Sequence, residues 1–146
     1  MAERRRSIHT GHRQRVKDEF SARGLAGWPD HRVLELLLYY AIPQGDVNGL
    51  AHELVERFGS LAGVLDAAEE ELCRVPGVGQ HTAVLLKLIP AAGARYLQSR
   101  ADLGEPVRRT EDAYALLEPY FFGARNEMIY LLALDGKNKP LGVRKV

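Results

Sequence analysis

Two apolar, helix-periodic runs meet at Arg74-Val75-Pro76-Gly77-Val78-Gly79-Gln80-His81-Thr82-Ala83, and this joint restricts the possible folds more than any other stretch of the chain. Pro76 lacks an N–H and cannot continue the helix that carries Leu72 and Val75, so the chain must turn. Gly77 and Gly79 permit positive φ and leave their N–H groups uncovered by side chains. A second helix begins near Gln80 and runs through Ala83, Leu85 and Leu86. Its unpaired N-terminal donors and positive dipole end therefore face the glycine N–H groups. This is a helix-hairpin-helix pattern, with Val78 expected to plug the turn into the core and Thr82-Ala83 to let two helices approach closely.

Such a joint suits an anion. Gly77, Val78, Gly79, Gln80 and Thr82 are expected to form a cradle for a phosphate of a nucleic-acid backbone, with Lys87 one to two turns further on adding charge. Contacts of this kind are blind to base sequence and weaken with salt. The competing reading is a structural turn, or a hairpin that mediates protein contacts, with Lys87 simply solvated.

A chain of 146 residues, 46% of them hydrophobic, can bury a real core as one domain or two small ones. Its formal net charge is only +1, so any affinity for polyanions must come from how the charges are distributed. Arg4, Arg5, Arg6, Arg13, Arg15 and Lys17 stand against Glu3 alone in the first 17 residues. This start reads as a basic arm leading into a short helix over Ile8 to Phe20. Arg13 and Arg15 are placed either along a phosphate backbone or on a solvated face. His9 and His12 have a spacing that suits a metal, but no nearby carboxylate or cysteine completes a ligand set, so they read as surface or capping residues.

Cys73 is the only cysteine, which excludes an intramolecular disulfide and a cysteine metal cluster, and it reads as a small core residue. No apolar run approaches a membrane span, and the early arginines lack the apolar segment of a secretory signal. A soluble protein of the reducing cytoplasm is expected, with no membrane partner.

Along the chain, Asp30 is expected to cap a helix from His31 whose Val33, Leu34, Leu36, Leu37, Leu38 and Tyr40 are too apolar for a surface helix. A turn at Pro43-Gln44-Gly45-Asp46 leads to a helix with Leu50, Leu54, Val55 and Phe58, stopped at Gly59. Asp46 would repel an anion, so this first turn reads as structural. A short helix from Ser60 through Leu65 follows, and Glu69-Glu70-Glu71 opens the helix entering the glycine hairpin. The expected boundaries are a helical domain over 1–100, a linker over 101–109 marked by Asp102, Gly104, Glu105 and Pro106, and an α/β segment over 110–146. In that segment Thr110 to Gly123 reads as a helix with Tyr114, Leu116, Leu117 and Tyr120 as its apolar positions. Met128 to Leu134 reads as a strand covered on both faces, Asp135-Gly136-Lys137-Asn138 as a turn, and Leu141 to Val146 as a second strand. One helix and two strands cannot shield an apolar strand, so the segment is expected to open a larger α/β domain. Its free edge would be a site for a protein partner or self-association.

Several separate stretches, in order, resemble RadC-like proteins. They are His12-Arg13-x-Arg15, Asp30-His31 with Leu34-Glu35-Leu36-Leu37-Leu38, Tyr40-Ala41-Ile42-Pro43 with Asp46, Arg57-Phe58-Gly59-Ser60-Leu61, Val75-Pro76-Gly77-Val78-Gly79, Asn126-Glu127-Met128 and Leu134-Asp135-Gly136-Lys137. The resemblance covers essentially the whole chain. It implies a mainly α helix-hairpin-helix domain followed by the start of a JAB/MPN-type, cytidine-deaminase-like α/β domain, in a family associated by name with DNA repair. Complete members are expected to bind zinc through a His-x-His pair and a downstream aspartate, with a nearby serine and an upstream glutamate that activates the zinc-bound water. Glu127 matches that glutamate, and its role as general base rests on the resemblance. The sequence to Val146 contains no His-x-His pair. The expectation is a DNA-binding chain without its own metal ligands or cofactor and without hydrolase activity by itself, the alternative being a protein-protein interaction module scaffolded by the hairpins.

Overall fold

The computed structural model describes residues 2–101 and 103–146, with side chains from residue 11 onward. The side chains of Arg4, Arg5, Arg6 and His9, and all of Asp102, lie outside the described residues. Among the described residues seven α-helices precede a short antiparallel sheet: α1 (Ala2–Arg23), α2 (Asp30–Ala41), α3 (Asn48–Phe58), α4 (Leu61–Asp66), α5 (Glu69–Cys73), α6 (Gln80–Arg100) and α7 (Thr110–Leu117), then a 3-10 turn (Glu118–Phe121), β1 (Tyr130–Leu134) and β2 (Pro140–Lys145). The chain divides within α6 into two compact units, one ending at Lys87 and one beginning at Leu88.

The first unit is built around α2. Leu34 and Leu38 are fully buried with Val16 of α1, Leu54 of α3, Val64 of α4, Leu72 of α5 and Leu86 of α6, so one helix stripe from each element meets in a single core. The expected short helix at the start is instead the 22-residue α1, because nothing between Ala2 and Arg23 breaks it before Gly24 takes positive φ. Asp30 is the first residue of α2 and not its cap. Pro29 occupies the capping position, and the Asp30 carboxylate accepts instead from Leu61 N–H at 2.8 Å, at the start of α4. Ser60 Oγ accepts from Gly63 N–H at 3.0 Å, so the six-residue α4 is capped from two directions. Gly63 is required there: an added Cβ would lie 2.0 Å from the Phe58 carbonyl oxygen.

In the second unit α7 ends at Leu117 and tightens into the 3-10 turn containing Pro119, so the single helix expected up to Gly123 is two pieces. Asp112 accepts from the N–H groups of Arg108 and Arg109 at 2.9 and 3.0 Å and fixes the start of α7. Those two backbone donors hold its carboxyl below the usual carboxylate range. The β1–β2 hairpin turns over Asp135–Asn138. There Asp135 accepts from the N–H groups of Lys137 and Lys139, and Asn138 adopts φ 60°. Register pairs Tyr130 with Lys145 and Leu132 with Val143, with an irregularity between Ala133 and Leu134. Leu131 is 56% exposed, as are Ile129 and Leu141 in large part, so the strand is not covered on both faces within the described residues. Tyr114, read as an apolar helix position, is also exposed.

Candidate nucleic-acid interface

The joint between α5 and α6 is a tight turn with a defined cause. Val78 N–H donates to the Val75 carbonyl at 3.0 Å, with Pro76 and Gly77 between them and Gly77 at φ 93°, the residue pattern of a type II turn. Only Gly77 needs the left-handed region; Gly79, expected to share it, does not. A Cβ added to Gly79 would meet nothing within 4 Å, whereas one at Gly77 would touch the Leu50 side chain at 3.6 Å. Val78 is 5% exposed and packs in the core, anchoring the turn from beneath.

Above that anchor, Pro76, Gly77, Gly79, Gln80 and His81 are exposed. Gly79 contributes its carbonyl to α6, accepting from Ala83 N–H at 3.0 Å. Among the described residues the N–H groups of Gly77, Gly79, Gln80, His81 and Thr82 donate to no acceptor in the chain. Five donors thus gather at the positive end of a 21-residue helix. Thr82 is 4% exposed as a whole residue, so its N–H is the least accessible of the five.

The side chains around the turn are partly committed elsewhere. Gln80 Nε2 donates to Glu69 Oε2 at 2.8 Å, and the Cys73 thiol points at Gln80 Oε1 from 3.8 Å. Glu69 therefore brings a negative charge to the edge of the donor cluster. Lys87 Nζ donates to the Leu65 carbonyl at 2.8 Å, near the C-terminal end of α4. Arg74 is exposed on the approach to the turn.

Arg13 lies apart from this cluster along the chain and is engaged with α2. Its guanidinium donates to the carbonyls of Tyr39 at 3.3 Å, Ile42 at 2.7 Å and Gly45 at 2.7 Å, and sits 4.7 Å from the Tyr39 ring centre. It caps the C-terminal end of α2. Arg15 is exposed.

Sequence reasoning missed the polar centre of this unit. Glu35, 3% exposed, accepts from Tyr39 Oη at 2.6 Å, His12 Nε2 at 2.9 Å and Asn48 Nδ2 at 3.1 Å. Burial raises its pKa, but the three donors together outweigh burial and hold the carboxyl below its usual 4.5. Burial, and then the Glu35 carboxylate, push the Tyr39 phenol well above its ordinary 10.0. His12 thus has a carboxylate partner 23 residues away, which spacing alone could not locate. The one signal was a glutamate amid the leucines of α2.

Glu127 is exposed in the irregular segment before β1. Among the described residues no group of three His, Cys, Asp or Glu side chains is placed to hold a metal ion. The zinc that the resemblance implies for complete relatives has no ligand set among the described residues. No helix among them is long and apolar enough to cross a membrane.

In sequence, the chain is similar to proteins that share a name. The chain is similar to UPF0758 protein FN0909 of Fusobacterium nucleatum subsp. nucleatum, 38% identical over 79 residues, which cover 54% of this chain and 34% of that protein. It is likewise similar to UPF0758 protein SPO0054 of Ruegeria pomeroyi, 39% identical over 89 residues, covering 61% of this chain and 40% of the relative. Homologues of that name are the RadC-like proteins. The chain spans about two fifths or less of the length of these relatives. No family model and no solved structure matches it.

Proposed function

We propose that the α5–α6 hairpin binds the phosphate backbone of DNA without regard to base sequence, and that the chain is part of a RadC-like protein of the DNA-repair-associated kind, working in the cytoplasm. The observation that carries this reading is the set of unpaired N–H groups of Gly77, Gly79, Gln80 and His81, all on exposed residues above a turn pinned by buried Val78. Backbone donors at a helix N-terminus bind phosphate oxygens with no side-chain rearrangement. With a net charge of +1 the whole surface is not a polyanion trap, so the salt dependence should be shallow. For one or two phosphates the slope of log K against log salt is about −1 to −2 on duplex DNA.

The test uses Gly79→Val. At position 79 an added Cβ meets nothing within 4 Å and the backbone is not left-handed, so the variant is expected to fold, which circular dichroism checks, while its side chain covers the donors. Fluorescence anisotropy with duplex, branched and single-stranded DNA across a salt series should show binding that falls with salt and drops at least about 10-fold in the variant at the hairpin-dependent substrate. Equal binding by folded Gly79→Val removes the cradle from the account.

A second reading is favoured by the second unit. Ile129, Leu131 and Leu141 are exposed on or beside a two-stranded sheet whose outer edges pair with nothing among the described residues. A protein partner, or a second copy, adding a strand there would bury them. The zinc-dependent peptidase activity that the resemblance implies is an activity of complete relatives, in which Glu127 matches the general base.

A further inference from the structure

We propose a second nucleic-acid contact on the first unit, a stacking platform for an unpaired base made by Tyr40 of α2 and Lys17 of α1. Tyr40 is 66% exposed although it follows the buried Tyr39 in a helix otherwise committed to the core. The Lys17 ammonium lies 5.0 Å from the Tyr40 ring centre, so a cation already rests against the ring's negative face. Phe20, three residues after Lys17 and hence its neighbour on the α1 surface, is a further exposed aromatic. An aromatic, a cation and a second aromatic thus line one stretch of surface, the combination that binds single strands through base stacking plus backbone charge.

Charge complementarity selects a nucleic acid as the occupant. Arg13, four residues before Lys17 and on the same face of α1, sets its guanidinium on the carbonyl and ring of Tyr39, so a second cation lies beside the platform. The α1 positions three and four residues from Lys17 are Arg13, Gln14, Phe20 and Ser21, none of them acidic, and Glu19 is paired with Arg32. A base laid on the Tyr40 ring gains stacking area, while Lys17, on a flexible stem, can leave the ring for the neighbouring phosphate. Paired bases cannot reach the ring, so the platform discriminates single strands from duplex. Its chemistry differs from that of the hairpin: side-chain π-face and ammonium here, backbone N–H groups there.

The experiment compares binding of a fluorescein-labelled oligothymidylate of about 15 nucleotides with that of a duplex, for wild type, Tyr40→Phe, Tyr40→Ala, Lys17→Gln and Gly79→Val, each first checked for folding by circular dichroism. Tyr40→Ala should weaken single-strand binding by about 5- to 150-fold and leave duplex binding unchanged. Tyr40→Phe should retain affinity, Lys17→Gln should weaken it and flatten its salt dependence, and Gly79→Val should keep the single-strand contact that depends on Tyr40. Unchanged single-strand affinity in Tyr40→Ala overturns the proposal, as does equal loss on single strand and duplex. Binding of polyglutamate as tightly as oligothymidylate, equally sensitive to Lys17→Gln and indifferent to Tyr40, assigns the patch to an acidic peptide and also overturns it. A hairpin that fails in Gly79→Val while Tyr40 still controls single-strand affinity separates the two sites.

Discussion

At the scale of single residues, Glu35 sets the stability of the first unit. Its carboxylate is the shared acceptor of Tyr39, His12 and Asn48, which come from three helices. Glu35→Ala leaves these donors without their partner and should cost about 1–3 kcal/mol in urea unfolding at neutral pH. Because the folded-state pKa of Glu35 lies below the ordinary 4.5, its contribution is present above that value and is lost as pH falls through the folded-state value. The stability gap between wild type and Glu35→Gln should therefore narrow below about pH 4.5, and a gap that widens on acidification contradicts the assignment. Glu69 acts in the opposite sense at the hairpin, where its bond to the Gln80 side chain holds a negative charge at the edge of the donor cluster that would receive a phosphate. Glu69→Gln should tighten DNA binding about 2- to 5-fold at low salt, as measured by anisotropy.

Helices and turns show where local chemistry decides and where it does not. The hairpin was legible because Pro76 and Gly77 impose its geometry within four residues, and Val78 could be placed in the core by its position between glycines. The β1–β2 turn was legible for the same reason, through Asp135 and Asn138. Asp30 misled: its type suits a helix cap, yet it caps α4, 31 residues away, and the preceding Pro29 starts its own helix. Arg13 and Lys87 also had plausible solvent-facing readings, but each found backbone carbonyls supplied by a distant helix end. Such partners depend on tertiary packing, which no local spacing encodes. Gly63 offers a test of that packing. Gly63→Ala should destabilise by about 1–3 kcal/mol, since its Cβ meets the Phe58 carbonyl. Gly49→Ala in the open first turn of α3 should be neutral or stabilising by up to about 1 kcal/mol in the same thermal melt. Equal effects at the two sites contradict the close approach of α3 and α4.

For the whole molecule, the division of chemistry follows the division of structure. The unit ending at Lys87 holds the buried core, the Glu35 centre and the donor cluster; the unit beginning at Leu88 holds Glu127, the exposed strand residues and no metal-ligand set among its described residues. The DNA-binding reading stands or falls with the first unit. Its central claim is most directly tested by following backbone amides in 15N-labelled protein by NMR while duplex DNA is added. The account predicts shifts concentrated on the amides of Gly77, Gly79, Gln80, His81 and Thr82 and reversed by salt. DNA binding that leaves those five amides unmoved while shifting others would contradict it.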